Sequence, residues 1–571
     1  MTKKIIFLIL TIFVLSILIL PGGLAAAANY YISPNGNDTT GTGTSENPWA
    51  TFEKAFKPGN GGLQGGDTLI IKDGIYTQAV GYYNENAKWN MYSPPSGSPD
   101  VYTIIKAEND GKAILRDTYI WLGGALSGTI AGGSSYIQIE GLKLLRSRIN
   151  MNNSHHIKIL RTGLKNPSPI NTQYGGGINI SCGSHHNLLE DVWVVGTFRY
   201  GISVFESYNN ILRRVVARFD GNSEREPKAG LNFYGETPNG TGCQGSFITG
   251  SHDNICQNCA MLDYNAAGIS SGSGLAGGSN TPHGAKNIKY YGSIALNIPA
   301  TGFGLHESSL GYGNDIINSV AWAVSGCGAT FRDGDPTKTI LFNQFTAGNT
   351  GNGGICEFGS TLIDLIATAK NSIFYNNGKL NNGIDINDYN WYYPASLTQG
   401  TNTLTTNPGI QYITRTPDSG TGEDGVKRGA TIEKRYGVDG TLWDESGYDQ
   451  LTNNSLWPWP NEQRIHDDAA EADGFSYPNT DWAGGPYTIV NNPQRGFATV
   501  GQTLTRYVWE YLGNPCPADI CNYAQTFSPA DTNQNGKIEM RELIAFVGKW
   551  KSTQATVDDV LTALDRWLRG E

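Results

Sequence analysis

Positive charge is scarce in this chain. Lysine and arginine number 41 against 51 aspartates and glutamates, which leaves a net charge of −10. Nucleic-acid binders concentrate positive charge, so that class of partner is excluded. An anionic polysaccharide is not, because a local basic patch can sit on an acidic protein. Long apolar runs are missing too, with one exception at residues 5–20, which follows Lys3-Lys4 and precedes the alanines at 25–28. A membrane span needs about 20 apolar residues. This run is shorter and ends at Pro21-Gly22-Gly23, so residues 1–28 are expected to be a secretory signal. The mature chain then begins near Asn29, is secreted or displayed at the cell surface, and keeps no membrane span. A second cysteine pair to match Cys256-x-x-Cys259 is also lacking, which sets aside zinc or redox chemistry in favour of buried cysteines. Outside the cytosol disulfides are allowed, and Cys516 and Cys521 flank a loop short enough for a bridge.

What is abundant is glycine, 73 residues, beside only 16% charged residues. That combination suits many tight turns between short strands. From about residue 184 to 388 one phrase returns: an alternating apolar run, a polar turn, then glycine and an apolar residue. It reads Val192-Trp193-Val194 then Gly201-Ile202, Val215-Val216 then Gly230-Leu231, and Cys259-Ala260-Met261 then Gly268-Ile269. It continues as Ile294-Ala295-Leu296 then Gly302-Phe303, Val320-Ala321-Trp322 then Gly328-Ala329, and Ile373-Phe374 then Gly383-Ile384. An interval of about 26 residues marks a solenoid. Short β-type runs make its coils strands. One coil cannot bury its apolar face alone; stacking at about 4.8 Å buries them all. The predicted fold is mainly β, a right-handed parallel β-helix.

The segment after the signal reads Tyr30-Tyr31-Ile32-Ser33-Pro34-Asn35-Gly36, then Pro48-Trp49-Ala50-Thr51-Phe52, then Gly66-Asp67-Thr68-Leu69-Ile70-Ile71. It resembles the N-terminal cap and first coil of secreted pectate-lyase-like parallel β-helix proteins, over roughly residues 30–415. A short helix at 51–56 across the open end would shield the strand edges. The resemblance implies the fold and not the reaction, since the fold hosts lyases, hydrolases, epimerases and adhesins. Residues 76–134 break the pattern. The insertions at 234–250 and 270–285 are rich in Gly, Ser, Thr and Asn and are expected to be loops.

The repeat ends near Gly409. Residues 416–510 are expected to form an irregular extension packed on or capping the solenoid. Its Trp457-Pro458-Trp459-Pro460 cannot be a central strand; the aromatics either pack on the coils or offer a sugar-stacking platform. Residues 511–571 differ again. Asp531, Asn533, Asn535, Gly536, Lys537, Ile538, Glu539 and Glu542 match an EF-hand loop position by position. Asp531, Asn533 and Asn535 offer side-chain oxygens, Lys537 its carbonyl, Glu539 a direct or water-mediated contact, and Glu542 both carboxylate oxygens. The expected cofactor is Ca²⁺. The segment resembles a dockerin, which implies an attachment partner. A dockerin has two calcium loops, and residues 551–559 carry no second ligand ladder, so a local structural module is the other reading.

Catalytic candidates come from aligning coils on the repeating glycine. Four or five residues beyond it lie Glu206, His306 with Glu307, and Arg332 with Asp333. Neighbouring coils would bring the last four together as an acid–base pair or ion site, or as a solvated turn with salt bridges. A second cluster, Arg218, Asp220, Glu224, Arg225, Glu226 and Lys228, enlarges the turn before Gly230. A uronate lyase needs a cation against the substrate carboxylate and a base for the C5 proton, and Arg218, Arg225 or Lys228 with Ca²⁺ held by Asp220, Glu224 or Glu226 would serve. The same run also reads as a charged surface loop. His155-His156 and His185-His186 read as turn residues in neighbouring coils and not as metal ligands. The favoured function is binding and cleavage of an extracellular polysaccharide, a uronate polymer by β-elimination. The other class is a non-catalytic adhesin or scaffold.

Overall fold

Single left-handed residues break the chain into strands. One coil runs Ser135–Glu140, Lys143–Leu145 and Arg148–Asn152, separated at Gly141, Arg146 and Asn153 with φ of 73°, 50° and 50°. One residue in that region redirects the backbone at minimal length, and asparagine tolerates it better than most side chains. Asn258, Asn318 and Asn371 do so after the first strand of later coils, and Asn297, Asn349 and Asn376 after the second. The computed structural model describes residues 27–57, 59, 61–77, 93–123, 133–167, 176–196, 199–220, 229–235, 243, 250–264, 273–277, 285–305, 313–332, 338–358, 366–472, 493–521, 530, 538–551, 556, 560–561, 563–564 and 567.

Successive coils pair in parallel and in register, as where Ile157 and Ile159 lie on Ile137 and Ile139. The result is a parallel β-helix of three sheets with 13, 12 and 9 strands among the described residues, here sheets A, B and C. Sheet A runs from Asn29–Ile32 to Ile386–Asp388, sheet B from Gly74–Tyr76 to Trp391–Tyr393, and sheet C from Tyr119–Gly123 to Ile355–Phe358. Residues 76–134, irregular in sequence, contain a coil: Thr103–Ala107, Ala113–Arg116 and Tyr119–Gly123. The helix Phe52–Phe56 covers the open end with Phe52 and Phe56 buried, and Thr51 caps it by accepting from the Lys54 N–H.

The recurring glycine has a steric cause. It forms a column at the corner between sheets B and C. A Cβ on Gly201, Gly302 or Gly328 would stand 2.4, 2.6 or 2.5 Å from the carbonyl oxygen of the glycine one coil on. It would also press on Ala217, Ala321 or Ala347, the small inward residues of sheet B. The column corrects the repeat at two places. Its member after Cys259-Ala260-Met261 is Gly274, not Gly268: a Cβ on Gly274 would lie 2.9 Å from the Gly302 carbonyl oxygen. Ser273–Gly277 is therefore a strand of sheet C within the 270–285 insertion, paired with Ala229–Tyr234. Gly383 is not in the column either; it sits against the Glu357 side chain with φ of 74°.

Sheet B carries large apolar residues on its outside as well: Trp193, Val195, Val216, Leu262, Ile294, Leu296, Val320 and Trp322, all buried. The cover comes from the chain beyond the coils. Ile432, Trp457, Trp459, Ile465, Phe497, Leu504, Val508 and Trp509 join them in a second hydrophobic core. Trp457 and Trp459 are 4% and 2% exposed, so they pack on the coils and offer no sugar platform. Farther along, Leu442 seals Leu188 and Ile211 on sheet A. All eight cysteines are paired: Cys182–Cys243, Cys256–Cys259, Cys327–Cys356 and Cys516–Cys521. Cys256 and Cys259 lie fully buried inside the coils. No described helix is long and apolar enough to cross a membrane.

Replacing Gly302 with alanine is expected to cost about 1–3 kcal/mol, the usual penalty for an added carbon in a filled core. Gly548→Ala, on the exposed side of the helix Met540–Lys551 with nothing within 4 Å, should instead gain about 1 kcal/mol of local helix stability. Urea unfolding of both variants checks the contrast; equal effects would remove the steric account of the column.

Candidate functional site

Sheet B is covered throughout its middle and sheet A in part, so the outer face of sheet C is the long surface that the extension leaves. Its side chains alternate with the core residues Ile149, Met151, Ile178, Ile180, Ile202, Val204, Leu231 and Phe233. Away from the core, one register position reads Trp121, Asn150, Asn179, Ser203 and Asn232 on successive strands. The position two residues on reads Asn152, Ser181, Phe205 and Tyr234. The Asn179 amide donates to Asn150 Oδ1 at 2.7 Å, which ties these two neighbouring amides together. Asn150, Ser203 and Asn232 are each less than a tenth exposed, so the groups of this face that a ligand can reach are the half-buried Asn179, Ser181, Tyr200, Phe205 and Tyr234.

Aromatic rings gather over this lane. Tyr234 lies 4.6 Å from Phe205 and 5.8 Å from Tyr200 between centroids. Arg148 stands 4.5 Å over the Tyr119 ring, and Arg199 5.2 Å over the Tyr200 ring. Uncharged amides and hydroxyls suit sugar hydroxyls, aromatic faces suit the apolar face of a sugar ring, and guanidinium groups suit carboxylates. Among the described residues, no three His, Cys, Asp or Glu side chains converge on a point where a metal could sit.

Arg218 and Asp220 lie elsewhere. The strand Val216–Phe219 belongs to sheet B. Arg218 is fully buried and Asp220 4% exposed. Arg218 Nη2 donates to Asp220 Oδ2 at 2.9 Å and to the Ala469 and Pro493 carbonyls, both at 2.9 Å, while Nη1 donates to the Arg495 carbonyl at 2.8 Å. Arg495 Nη2 reaches Asp220 Oδ1 at 2.8 Å, and Lys165 Nζ stands 3.8 Å from Oδ2. Burial alone would raise the Asp220 carboxyl, but Arg218, Arg495 and Lys165 hold it below its usual value. The expectation that this pair faces a substrate groove is therefore corrected: they pin the extension to sheet B beneath a covering of protein. Glu206 is buried as well and accepts the Gly250 N–H.

Of the other candidates, Arg225, Lys228, His306, Glu307 and Asp333 lie outside the described residues. Arg332 ends a strand of sheet C, its backbone opposite Phe358. In sequence, Lys228 immediately precedes the sheet C strand Ala229–Tyr234, His306 and Glu307 follow Phe303–Leu305, and Asp333 follows Ala329–Arg332. The lane residues themselves escaped the sequence reading. The signal was present: Asn179, Ser203, Asn232 and Thr330 each fall two residues after a column glycine, where a strand turns its next side chain outward.

Asp531, Asn533, Asn535 and Lys537 lie outside the described residues. Beyond them Ile538 is buried with Leu543, Phe546 and Ala563 in a small separate core. Glu542 is 4% exposed in the first turn of the helix Met540–Lys551 and accepts the Glu539 N–H at 3.1 Å. The Glu539 carboxylate itself meets Arg541 at 2.8 Å.

No protein-family model and no curated protein matches this chain. Among solved structures it is similar to pectate lyase Pel9A, at 13% identity and a TM-score of 0.38 over 80% of this chain and 95% of that one. It is also similar to a mannuronic-acid-specific family 6 polysaccharide lyase from human gut microbiota, at 13% identity and 0.39 over 66% and 89%. A rhamnogalacturonan lyase gives 14% identity and 0.37 over 75% and 97%. Likeness at this level carries no argument about the reaction; the strand pairing above establishes the fold.

Asp220→Asn should destabilise the protein by about 3–5 kcal/mol near neutral pH, because it leaves buried cations uncompensated. A lowered folded pKa contributes stability above the unfolded value of about 3.9 and loses it as pH falls through the lower folded value. The variant should therefore lose stability at neutral pH and show a shallower decline on acidification. Urea unfolding across pH tests both; an unchanged midpoint would remove the pinning role.

Proposed function

We propose that this is a secreted protein that binds an extracellular polysaccharide along the outer face of sheet C and cleaves a uronate polymer there by β-elimination. The observation that carries the reading is the half-buried part of the lane: Asn179 and Ser181 on one strand, in register with Ser203 and Phe205 and then Tyr234, with Tyr200 beside them. An elongated row of neutral hydrogen-bonding groups suits a chain of sugars better than a compact ligand.

The chemistry sets what the flanking residues must do. A C5 proton beside a carboxylate becomes removable when a cation neutralises that carboxylate and a base sits next to the proton. The C4–O bond then breaks and leaves an unsaturated sugar end. Arg225 and Lys228 border the lane in sequence on one side, and His306, Glu307, Arg332 and Asp333 on the other, so these supply the cation and the base in this proposal. Arg218 and Asp220 are left out because the extension buries them.

The C-terminal segment is proposed to hold Ca²⁺ through Asp531, Asn533, Asn535, the Lys537 carbonyl and Glu542, with Glu539 acting through water. The donor set is all oxygen, as a hard cation requires. The fit is supported by Ile538 and Glu542, both buried where an EF-hand places its central apolar residue and its last carboxylate. Calcium would tie the loop to the helix behind it. Met540, Ile544 and Trp550 stay exposed on that helix and offer a face to an attachment partner.

Incubation with uronate polymers should produce ultraviolet absorbance from unsaturated ends. Lys228→Ala or Arg225→Ala should abolish it with the fold intact. Cleavage that survives both changes would move the assignment to His306, Glu307, Arg332 and Asp333. Failure to cleave any polymer, with or without Ca²⁺, would leave a scaffold or binding protein. Separately, calorimetry should show Ca²⁺ binding with a dissociation constant of about 10⁻⁴–10⁻³ M, the weak extracellular range expected with two asparagine ligands. Glu542→Ala should remove it; an unchanged isotherm would end the calcium assignment.

A further inference from the structure

Two pairs of adjacent histidines stand on neighbouring coils where sheet C leads into sheet A. Side chains of consecutive residues normally diverge on a strand. Here His156 and His186 adopt φ of 55° and 52°, which swings each ring toward the residue before it. His155 Nδ1 and His156 Nδ1 are 2.9 Å apart, and so are His185 Nδ1 and His186 Nδ1. The geometry belongs to the position, since His252 Nδ1 meets Asp253 Oδ2 at 2.7 Å two coils farther along. Rings also stack from coil to coil, His155 on His185 at 5.1 Å and His156 on His186 at 5.3 Å. Tyr136 caps one stack at 4.6 Å, and Tyr208 extends the other at 5.0 Å.

We propose that these histidine pairs form a chelating site for a borderline divalent transition metal, Cu²⁺ or Ni²⁺, distinct in chemistry from the calcium loop. With metal–nitrogen bonds of about 2.0 Å, nitrogens at this separation subtend an angle of about 90° at the metal. That is the cis angle of square-planar and tetragonal sites, which copper and nickel prefer, and not the wider angle of tetrahedral zinc. A small rotation of each ring about its broad terminal torsion would turn both lone pairs onto the ion. The ion would take the place of the proton shared within the pair.

Several features support the site. Imidazole binds metal only when neutral. Burial first, and the neighbouring histidines next, push His156 and His185 down to about 4, and His155 and His186 also fall below the usual value. The pairs thus reach neutral pH uncharged, and the ion displaces only the proton shared between the two Nδ1 atoms, which moves to that ring's Nε2. Asp444 acts on His186, and Glu445 and Lys158 on His156, so two carboxylates of the extension favour a cation here. The coil spacing is too long for one ion to bond all four nitrogens, and two dications that close would repel. One ion per chain is expected.

The other coils provide conservative replacements. Asn209 and Asn287 occupy the same left-handed position with φ of 53° and 52°. The double variant His156→Asn, His186→Asn therefore keeps the backbone's preference and breaks both chelates. Nickel chloride titrated into the full mature chain by calorimetry should show one saturable site in the wild type and at least a tenfold weaker one in the variant. Copper-loaded wild type should give a paramagnetic resonance spectrum with two nitrogen ligands, reduced to one or none in the variant. Wild type without a saturable site, or a variant with unchanged affinity, overturns the proposal. If the variant misfolds, His155→Tyr with His185→Tyr, which copies Tyr208, the next member of the same column, provides the same test.

Discussion

The architecture depends on how closely the backbone of one coil can approach the next at the corner between sheets B and C. There a column glycine faces the carbonyl of its successor at a distance that excludes a Cβ. On several coils alanine stands opposite, so the inner side of sheet B carries Ala217, Ala295, Ala321 and Ala347, while Val194, Met261 and Phe374 fill the same place on others. Apolar bulk also appears on the outside of that sheet, as Trp193, Leu262, Leu296 and Trp322. A strip of that kind must be covered. The extension is the cover, so it completes the solenoid and does not merely follow it.

Charge is used sparingly along this seam. Arg213 is fully buried, donating to Glu190 at 2.7 Å and to the Val438 carbonyl at 2.8 Å, while Arg214 meets Asp191 at 2.6 Å and Asp439 at 2.9 Å. With Arg218, Asp220 and Arg495 they stitch two distant stretches of chain together. Buried ion pairs add little net stability over apolar packing. What they supply here is alignment, because a slipped extension would leave several buried charges without partners. Burying sheet B and fixing its cover leaves the outer face of sheet C clear of the extension.

The solenoid was legible in the sequence because its constraint is local and repeated. A glycine that cannot be replaced returns once per coil, and the apolar run before it returns too. Gly268 was mistaken for Gly274 because an insertion shifts the count, and no local feature separates a loop glycine from a column glycine. Arg218 and Asp220 misled for a different reason. Followed by Glu224, Arg225, Glu226 and Lys228, they look like a solvated loop, yet Asp220 is paired with Arg495, 275 residues away. The lane on sheet C was missed because Asn150, Asn179 and Asn232 carry no charge. A search for acids and bases passes over amides, although amides and hydroxyls are what a neutral sugar surface meets. The caps were easier, since Thr51 and the aromatics around it act over a few residues.

The left-handed columns show how much freedom such a scaffold has. At the turn into sheet A the position is filled by Tyr136, His156, His186, Asn209, Asp253 and Asn287. The backbone asks only for a residue that tolerates positive φ, and asparagine or aspartate meets that demand with least strain. Tyrosine and histidine add bulk that the turn does not require. What they gain is ring stacking along the solenoid, from Tyr136 through His156 to His186, and a polar atom held at a fixed distance from its neighbour. The same backbone position thus supplies an amide on one coil, a carboxylate on another and an imidazole on a third. Chemistry on this fold can change coil by coil while the strand pairing beneath it stays the same.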